Sequence, residues 1–326
     1  MPIHRRRFAQ GLAVLAGAGF VPGLGARAAR AATPEELILI AAASTGGGYD
    51  TLARTIQQIM ETKDIVGNVE VLNVPGAGGT IGLAQLVGSG TPSTLLTAGL
   101  GMVGAVLINK SAVTLDEATP VARLQGEYQP LVVAAASPLK SLDDLAKAFK
   151  ADPGAVSWGG FGIGSPDHLV SAQVVKAIGG DVKAMNYIVV GAGSEMLPLV
   201  LSNQVSVATG GYAEFGDLIA TGQLRALGIS SPERLPGIDV PTFREQGVDT
   251  ELVNWRGLVG APGLNAEALA GFDEVLGAVA ASEEWNEICR KRGWQNLYMP
   301  SAEFKSFLAA ENERVTALVT ELGLGG

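Results

Sequence analysis

The chain has 326 residues, is 47% apolar and carries 44 glycines. That excludes a disordered polymer and leaves enough apolar mass for one or two buried cores. Its 23 basic residues face 32 acidic ones; five arginines fall within the first 32 residues, so the rest carries 18 basic and 32 acidic groups, a formal net charge of −14. Such a balance excludes nucleic acid and anionic lipid as partners, because both require a basic surface, but it permits an anion at a locally positive site.

Residues 1–32 read as an export signal. Arg5-Arg6-Arg7-Phe8 is followed by an apolar stretch, Leu12 to Leu24, and then by the small-residue run Ala26 to Ala32. The apolar stretch is too short to span a bilayer, and the arginines before Phe8 fit the twin-arginine route. Cleavage after Ala28, Ala31 or Ala32, placed near Ala31, leaves the remaining chain in the periplasm.

Beyond the signal, strand and helix patterns alternate. Leu37–Ala43 predicts a buried strand, Leu52, Ile56, Ile59 and Met60 a helix, Val69–Val74 a strand, Ile81–Val87 a helix and Thr94–Ala98 a strand. Leu131–Ala136 is a further strand. Then follow a helix over Leu142–Phe149, a strand over Ala155–Trp158, a helix stripe at Val170, Val174, Ala177 and Ile178, and a strand over Met185–Val190. Glu195–Leu201 predicts a helix; Val205–Ala208, Glu214–Ala220 and Leu224–Ile229 continue the alternation; Gly257–Gly260 predicts a strand, and residues 265–281, 283–291 and 302–322 helices. The alternation predicts an α/β protein whose sheets are mainly parallel and covered by helices. Two lobes are expected, 33–134 with 254–326 and 135–253, joined by a hinge near 131–138 and 250–257 that closes around a ligand.

Three Gly-rich turns end a strand and open a helix: Ser44-Thr45-Gly46-Gly47-Gly48-Tyr49-Asp50, Phe161-Gly162-Ile163-Gly164-Ser165-Pro166-Asp167-His168, and Gly191-Ala192-Gly193-Ser194-Glu195. A fourth surrounds Gly78. Helix N-termini present unpaired N–H groups and a partial positive charge, and glycine lets a ligand approach the backbone, so these turns predict anion binding. Asp50 and Ser165 are candidate helix caps or ligand contacts. His168 is either a packed side chain or a group titrating near a bound acid. Arg256 is either a ligand contact or half of a hinge ion pair.

Other chemistries are constrained. Cys289 is the only cysteine and His168 the only histidine after His4, so no metal site and no cofactor are expected. Gly76-Ala77-Gly78 meets Ile81 and Gly160-Phe161-Gly162 meets Ser165 where a G-x-G-x-x-G needs its third glycine, and neither Gly-Lys-Ser/Thr nor G-x-S-x-G occurs. A hydrolase would have to use Ser165, Asp167 and His168, which crowd within four residues as a helix start does.

Several segments resemble one family. They are Gly46-Gly47-Gly48-Tyr49-Asp50-Thr51-Leu52-Ala53-Arg54, Asn73-Val74-Pro75-Gly76-Ala77-Gly78-Gly79-Thr80-Ile81-Gly82, Gly164-Ser165-Pro166-Asp167-His168, Pro241-Thr242-Phe243-Arg244-Glu245-Gln246-Gly247 and Asn254-Trp255-Arg256-Gly257. In order and spacing they are similar to the substrate-binding proteins of tripartite tricarboxylate transporters. The resemblance implies a two-lobed periplasmic binding fold of the type II kind, each lobe a sheet flanked by helices. It implies a small organic acid held by loop amides, delivery to membrane transporter subunits, and no catalysis. It maps the first binding loop onto Ser44–Asp50 and the second onto Phe161–His168, and it points to the citrate-like branch. Dicarboxylates, amino acids and aromatic acids are the alternative ligands. A monomer is expected, since a hinged receptor must open and close.

Overall fold

The computed structural model describes residues 36–190 and 193–324; the expected export segment lies outside them. Eleven strands form two sheets. The first runs β11-β4-β10-β3-β1-β2, the second β7-β6-β8-β5-β9. In the first sheet these are β1 (Glu36–Ala41), β2 (Asn68–Asn73), β3 (Thr94–Gly99), β4 (Thr119–Tyr128), β10 (Val253–Gly260) and β11 (Gln295–Met299). In the second they are β5 (Pro130–Ala134), β6 (Ser157–Gly160), β7 (Asn186–Val189), β8 (Val207–Thr209) and β9 (Leu224–Ile229).

Helices cover both sheets, as the alternating pattern implies. Helix α1 (Gly48–Thr62) buries Leu52, Ile56, Ile59 and Met60, one stripe at helical spacing, against the first sheet. Helices α2 (Thr80–Ser89) and α3 (Leu100–Ile108) follow, then α4 (Leu142–Ala151), α5 (Pro166–Ala177), α6 (Gly193–Leu201) and α7 (Tyr212–Ala220) around the second sheet. The last three are α8 (Ala266–Ala281), α9 (Glu283–Arg292) and α10 (Ser301–Glu321). Local chemistry sets several boundaries: Ser141 caps α4 by accepting from the Asp144 amide, Ser282 caps α9 by accepting from Trp285, and Gly293 ends α9 at φ 67°.

The sheets are mixed rather than mainly parallel. β1 pairs in parallel with β2 and β3, and β6 with β7 and β8, but β10 runs antiparallel to β3 and β4, β11 to β4, and β5 to β8 and β9. The sequence pattern missed α3, β4 and β11. β4 places Arg123, Gln125 and Glu127 among its apolar residues, which breaks the apolar run that marks a buried strand.

The chain passes between the sheets at Gln129 and again between β9 and β10. β5, expected in the first lobe, therefore pairs in the second sheet. The two passages are stapled by Ser230. Its hydroxyl accepts from the Gln129 amide at 2.9 Å and donates to the Leu252 carbonyl at 2.6 Å, and its own amide donates to the Gln129 carbonyl at 3.0 Å. Gln129 and Ser230 are both buried. Cys289 is buried on the inner face of α9, and burial pushes its thiol up to about 11.

Candidate functional site

Four helix N-termini converge on one cleft between the sheets. Gly48 and Tyr49 open α1, Gly101 lies in the first turn of α3, Ser165, Pro166 and Asp167 open α5, and Gly211 and Glu214 belong to the start of α7. Glu127, Gln129, Phe161, Asn254 and Arg256 complete a cavity of about 250 Å³. Each helix N-terminus contributes roughly half a positive charge, so the convergence is anion-receptive before any side chain is counted.

The first-sheet wall keeps that receptivity open. Neither α1, whose N-cap is Gly47, nor α3, whose N-cap is Gly99, has a side chain capping its amides. Arg256 is placed beside them by strand alternation. On β10, Trp255 points to the opposite side, where it packs edge-on against Phe304 and Phe307 of α10 and donates to Glu311 at 3.0 Å, so Asn254 and Arg256 face the cleft. The guanidinium lies against Gly48: a β-carbon there would sit 2.8 Å from Nη2. Glycine at this position lets the guanidinium lie directly against the α1 N-terminus; a larger residue would push it aside. Glu127, opposite Asn254 across the β4–β10 ladder, pairs with Arg256 Nη1. Burial pushes the Tyr49 hydroxyl up to about 12, so it remains a proton donor at neutral pH.

The second-sheet wall is filled with acceptors. Ser165 is the N-cap of α5, accepting from the His168 amide at 3.4 Å. Its hydroxyl donates to Asp167 Oδ2 at 3.1 Å, and the Phe161 amide donates to the same oxygen at 3.1 Å. Gln129 Nε2 donates to Oδ1. Burial nevertheless pushes the Asp167 carboxyl up to about 6. Glu214, in the first turn of α7, accepts from the Gly211 amide at 3.2 Å. Burial within the cleft walls, with Asp167 and Glu127 nearby, pushes its carboxyl up to about 7.

Of the residues singled out by sequence, Gly48, Tyr49, Phe161, Ser165, Asp167 and Arg256 line the cavity. Ser44, Thr45, Gly46, Asp50, Gly78, Gly162, Gly164 and His168 are not among its lining residues. Asp50 is the third residue of α1 and not its cap. It accepts from the Gly46 amide (2.8 Å), Arg54 Nε (2.9 Å) and Asn73 Nδ2 (2.7 Å), tying the first loop to β2. Burial opposes its charge, but these donors hold its carboxyl below the ordinary aspartate value. Gly78 (φ 65°) packs on α3, where a β-carbon would collide with Ala105. Gly164 (φ 70°) fits under Ile108 of α3 for the same reason.

His168 is buried, its ring 4.1 Å from that of Tyr187, and its Nδ1 accepts from the Gly164 amide at 3.1 Å. Burial pushes it down to about 4, which favours the neutral ring at physiological pH, and it is not among the residues lining the cavity. Ser165, Asp167 and His168 thus form a helix start in which the serine proton points to the aspartate and not to the imidazole. Gly193 and Ser194 open α6; residues 191–192 and the side chains of Gly193 and Ser194 lie outside what is described.

Sequence reasoning missed Gly101, Glu127, Gln129, Gly211 and Glu214 as lining residues. Gly210-Gly211 follows β8 and opens α7, the same strand–glycine–helix signature as the other turns. Glu127 and Gln129 carried no local signal.

The model of the family described as "Tripartite tricarboxylate transporter family receptor" matches residues 52–324. The protein of the gbd 5′ region of Cupriavidus necator is 26% identical over 332 residues, covering 99% of each chain. Among solved structures, a TctC solute-binding protein from Polaromonas superposes with a TM-score of 0.74 at 24% identity, over 88% of this chain and 98% of that one. MatC from Rhodopseudomonas palustris, solved with malate, gives 0.70 at 22% identity over 89% and 99%. Another R. palustris protein, solved with adipate, gives 0.74 at 21% identity over 89% and 98%. These superpositions establish a shared periplasmic-binding-protein fold.

Proposed function

Because the chain belongs to the tripartite tricarboxylate transporter receptor family, we propose that it captures a tricarboxylate such as citrate in the periplasm and delivers it to membrane transporter subunits without transforming it. The lobes are then the two sheets with their helices, and Gln129 and residues 230–252 carry the hinge. The observation that carries this reading is the first-sheet wall: two helix N-termini without side-chain caps beside Arg256, all facing one cavity. A carboxylate placed there accepts from backbone amides and the guanidinium together, which combines dipole and charge-assisted recognition. Ligand contacts are assigned to Gly48, Tyr49, Phe161, Ser165 and Arg256. Asp50, Gly46 and Gly164 shape the loops behind them.

A second reading keeps the receptor and changes the acid. One arginine is a small cationic complement for a trianion, and the fold relatives named above were solved with malate and with adipate. Calorimetric titration of refolded, ligand-stripped protein with citrate, tricarballylate, malate, succinate and adipate separates the two. One-to-one binding strongest for citrate supports the first. Silence for both tricarboxylates with binding of malate or adipate moves the substrate to shorter acids. Silence across all five removes carboxylate capture. Gel filtration of the same sample tests the expected monomer.

A further inference from the structure

The cleft holds three carboxyl groups and one guanidinium. Arg256 of β10 is already engaged by Glu127 of β4. Asp167 of α5 and Glu214 of α7 face the same cavity from the other wall. Glu127 and Glu214 both border Gly211, where an added β-carbon would collide with the Glu127 carboxylate and lie 3.6 Å from Glu214 Oε1. Tyr49 of α1, the remaining titratable group at the cavity, is a neutral phenol. An anionic ligand entering this space adds negative charge to a cluster in which Arg256, the one side-chain cation among the described lining residues, is already charge-paired with Glu127, in a cleft that sheds water as it fills.

The three carboxyls differ in what they can do about that charge. Glu127 is committed to Arg256. Asp167 is committed to three donors, Gln129, the Phe161 amide and Ser165, spread over both its oxygens. A proton there would displace one of them. Glu214 receives one hydrogen bond among the described residues, at Oε1 from the Gly211 amide, and opens to the cleft solvent. Its other oxygen is therefore available to carry a proton.

We propose that Glu214 enters the complex as a neutral carboxylic acid, so that capture of an anionic ligand takes up one proton from solution and Glu214 donates it in a hydrogen bond to a ligand oxygen. This assigns Glu214 as a specificity-determining residue and rests on the carboxylate-capture reading above. The proton moves from solvent to a Glu214 oxygen and no covalent bond changes in the ligand. The crowding of Glu127 and Asp167 at the same cavity favours that proton, since both neighbours act to push the Glu214 carboxyl up.

The test is titration of the full protein with citrate at about pH 8, where the free acid and Glu214 are both ionised, in two buffers of different ionisation enthalpy. The wild type should show buffer-dependent heat corresponding to uptake approaching one proton per site. Its affinity should fall towards tenfold per pH unit above about pH 7. Glu214→Gln keeps a donor that cannot titrate, so its uptake should vanish and its affinity should be flat with pH. Glu214→Ala should lose both uptake and affinity, and far-ultraviolet melts check that each variant is folded. Equal heats in both buffers for the wild type, or unchanged uptake in folded Glu214→Gln, overturns the proposal while leaving carboxylate capture intact. If citrate is silent, malate and adipate are titrated in the same way. Silence for all three between about pH 5.5 and 8.5 overturns the proposal and the receptor reading together.

Discussion

The two walls of the cleft are built on one plan and end in opposite states. Each is a sheet whose strands lead through glycine turns into helices aimed at the cavity. On the first-sheet wall the amides of α1 and α3 have no side-chain caps and stand beside a guanidinium. On the second-sheet wall Ser165 caps α5, Glu214 accepts from the Gly211 amide ahead of α7, and the carboxyls of Asp167 and Glu214 face the cavity. An identical backbone motif can thus be an anion receptor or a source of acceptors, and the direction taken by its first-turn carboxylate decides which: Asp50 is held by Gly46, Arg54 and Asn73, whereas Asp167 and Glu214 line the cavity. The first wall should carry affinity, the second discrimination.

The comparison breaks most visibly at Arg256. Arg256→Ala removes the cation of the first wall and strands Glu127, so titration should show binding reduced at least about a hundredfold. Thermal unfolding should show a loss of about 2 kcal/mol, the pair being partly solvent-screened. If affinity falls less than fivefold, the first wall is not the receptor half. A smaller effect is expected at Asp50, which is not among the residues lining the cavity. Asp50→Ala leaves Gly46, Arg54 and Asn73 without their shared acceptor, costing about 1–3 kcal/mol. Ligand affinity should drop about tenfold as the α1 start loosens. Unchanged affinity would show that the first wall holds its shape without this anchor.

On the second wall, Ser165→Ala should cost about 1 kcal/mol in a melt, a lost cap, and a few-fold in affinity. A loss as large as that of Arg256→Ala would erase the asymmetry. The smallest effect sharpens the picture without a mutation. His168 is the only histidine after His4, so its imidazole can be followed by NMR as an isolated signal. Its folded value is depressed to about 4, below the unfolded value near 6.5. The unfolded state therefore binds the extra proton first. The stability this contributes is complete above about pH 6.5 and is lost as pH falls towards 4. A midpoint above about pH 5.5 would mean the ring is exposed or charged.

Much of the architecture was legible because its cause is local. Apolar runs gave the strands, the period of Leu52, Ile56 and Ile59 gave α1, and glycine after a strand gave the loops. Arg256 was legible by its place at the second expected crossing, just before the predicted strand Gly257–Gly260. What stayed hidden depends on distance in the chain. Asp50 finds its role through Asn73, 23 residues away, and Glu127 through Arg256, 129 residues away. β4 was invisible because residues serving the cleft interrupt its apolar pattern, so the functional residues themselves masked the element carrying them. The Gly210-Gly211 turn carried the same signal as its counterparts and was passed over. It would have led to Glu214.

The single thiol has a practical meaning. Cys289 is buried and its thiolate is strongly disfavoured, so the natural chain is close to inert towards maleimides and similar reagents at neutral pH. Ile81 on α2 and Ile163 on the second-sheet loop are 52% and 44% exposed. A cysteine at each would accept a fluorophore without competition from the native sulfur. One dye pair on the two sheets would then test whether ligand arrival changes energy transfer between them.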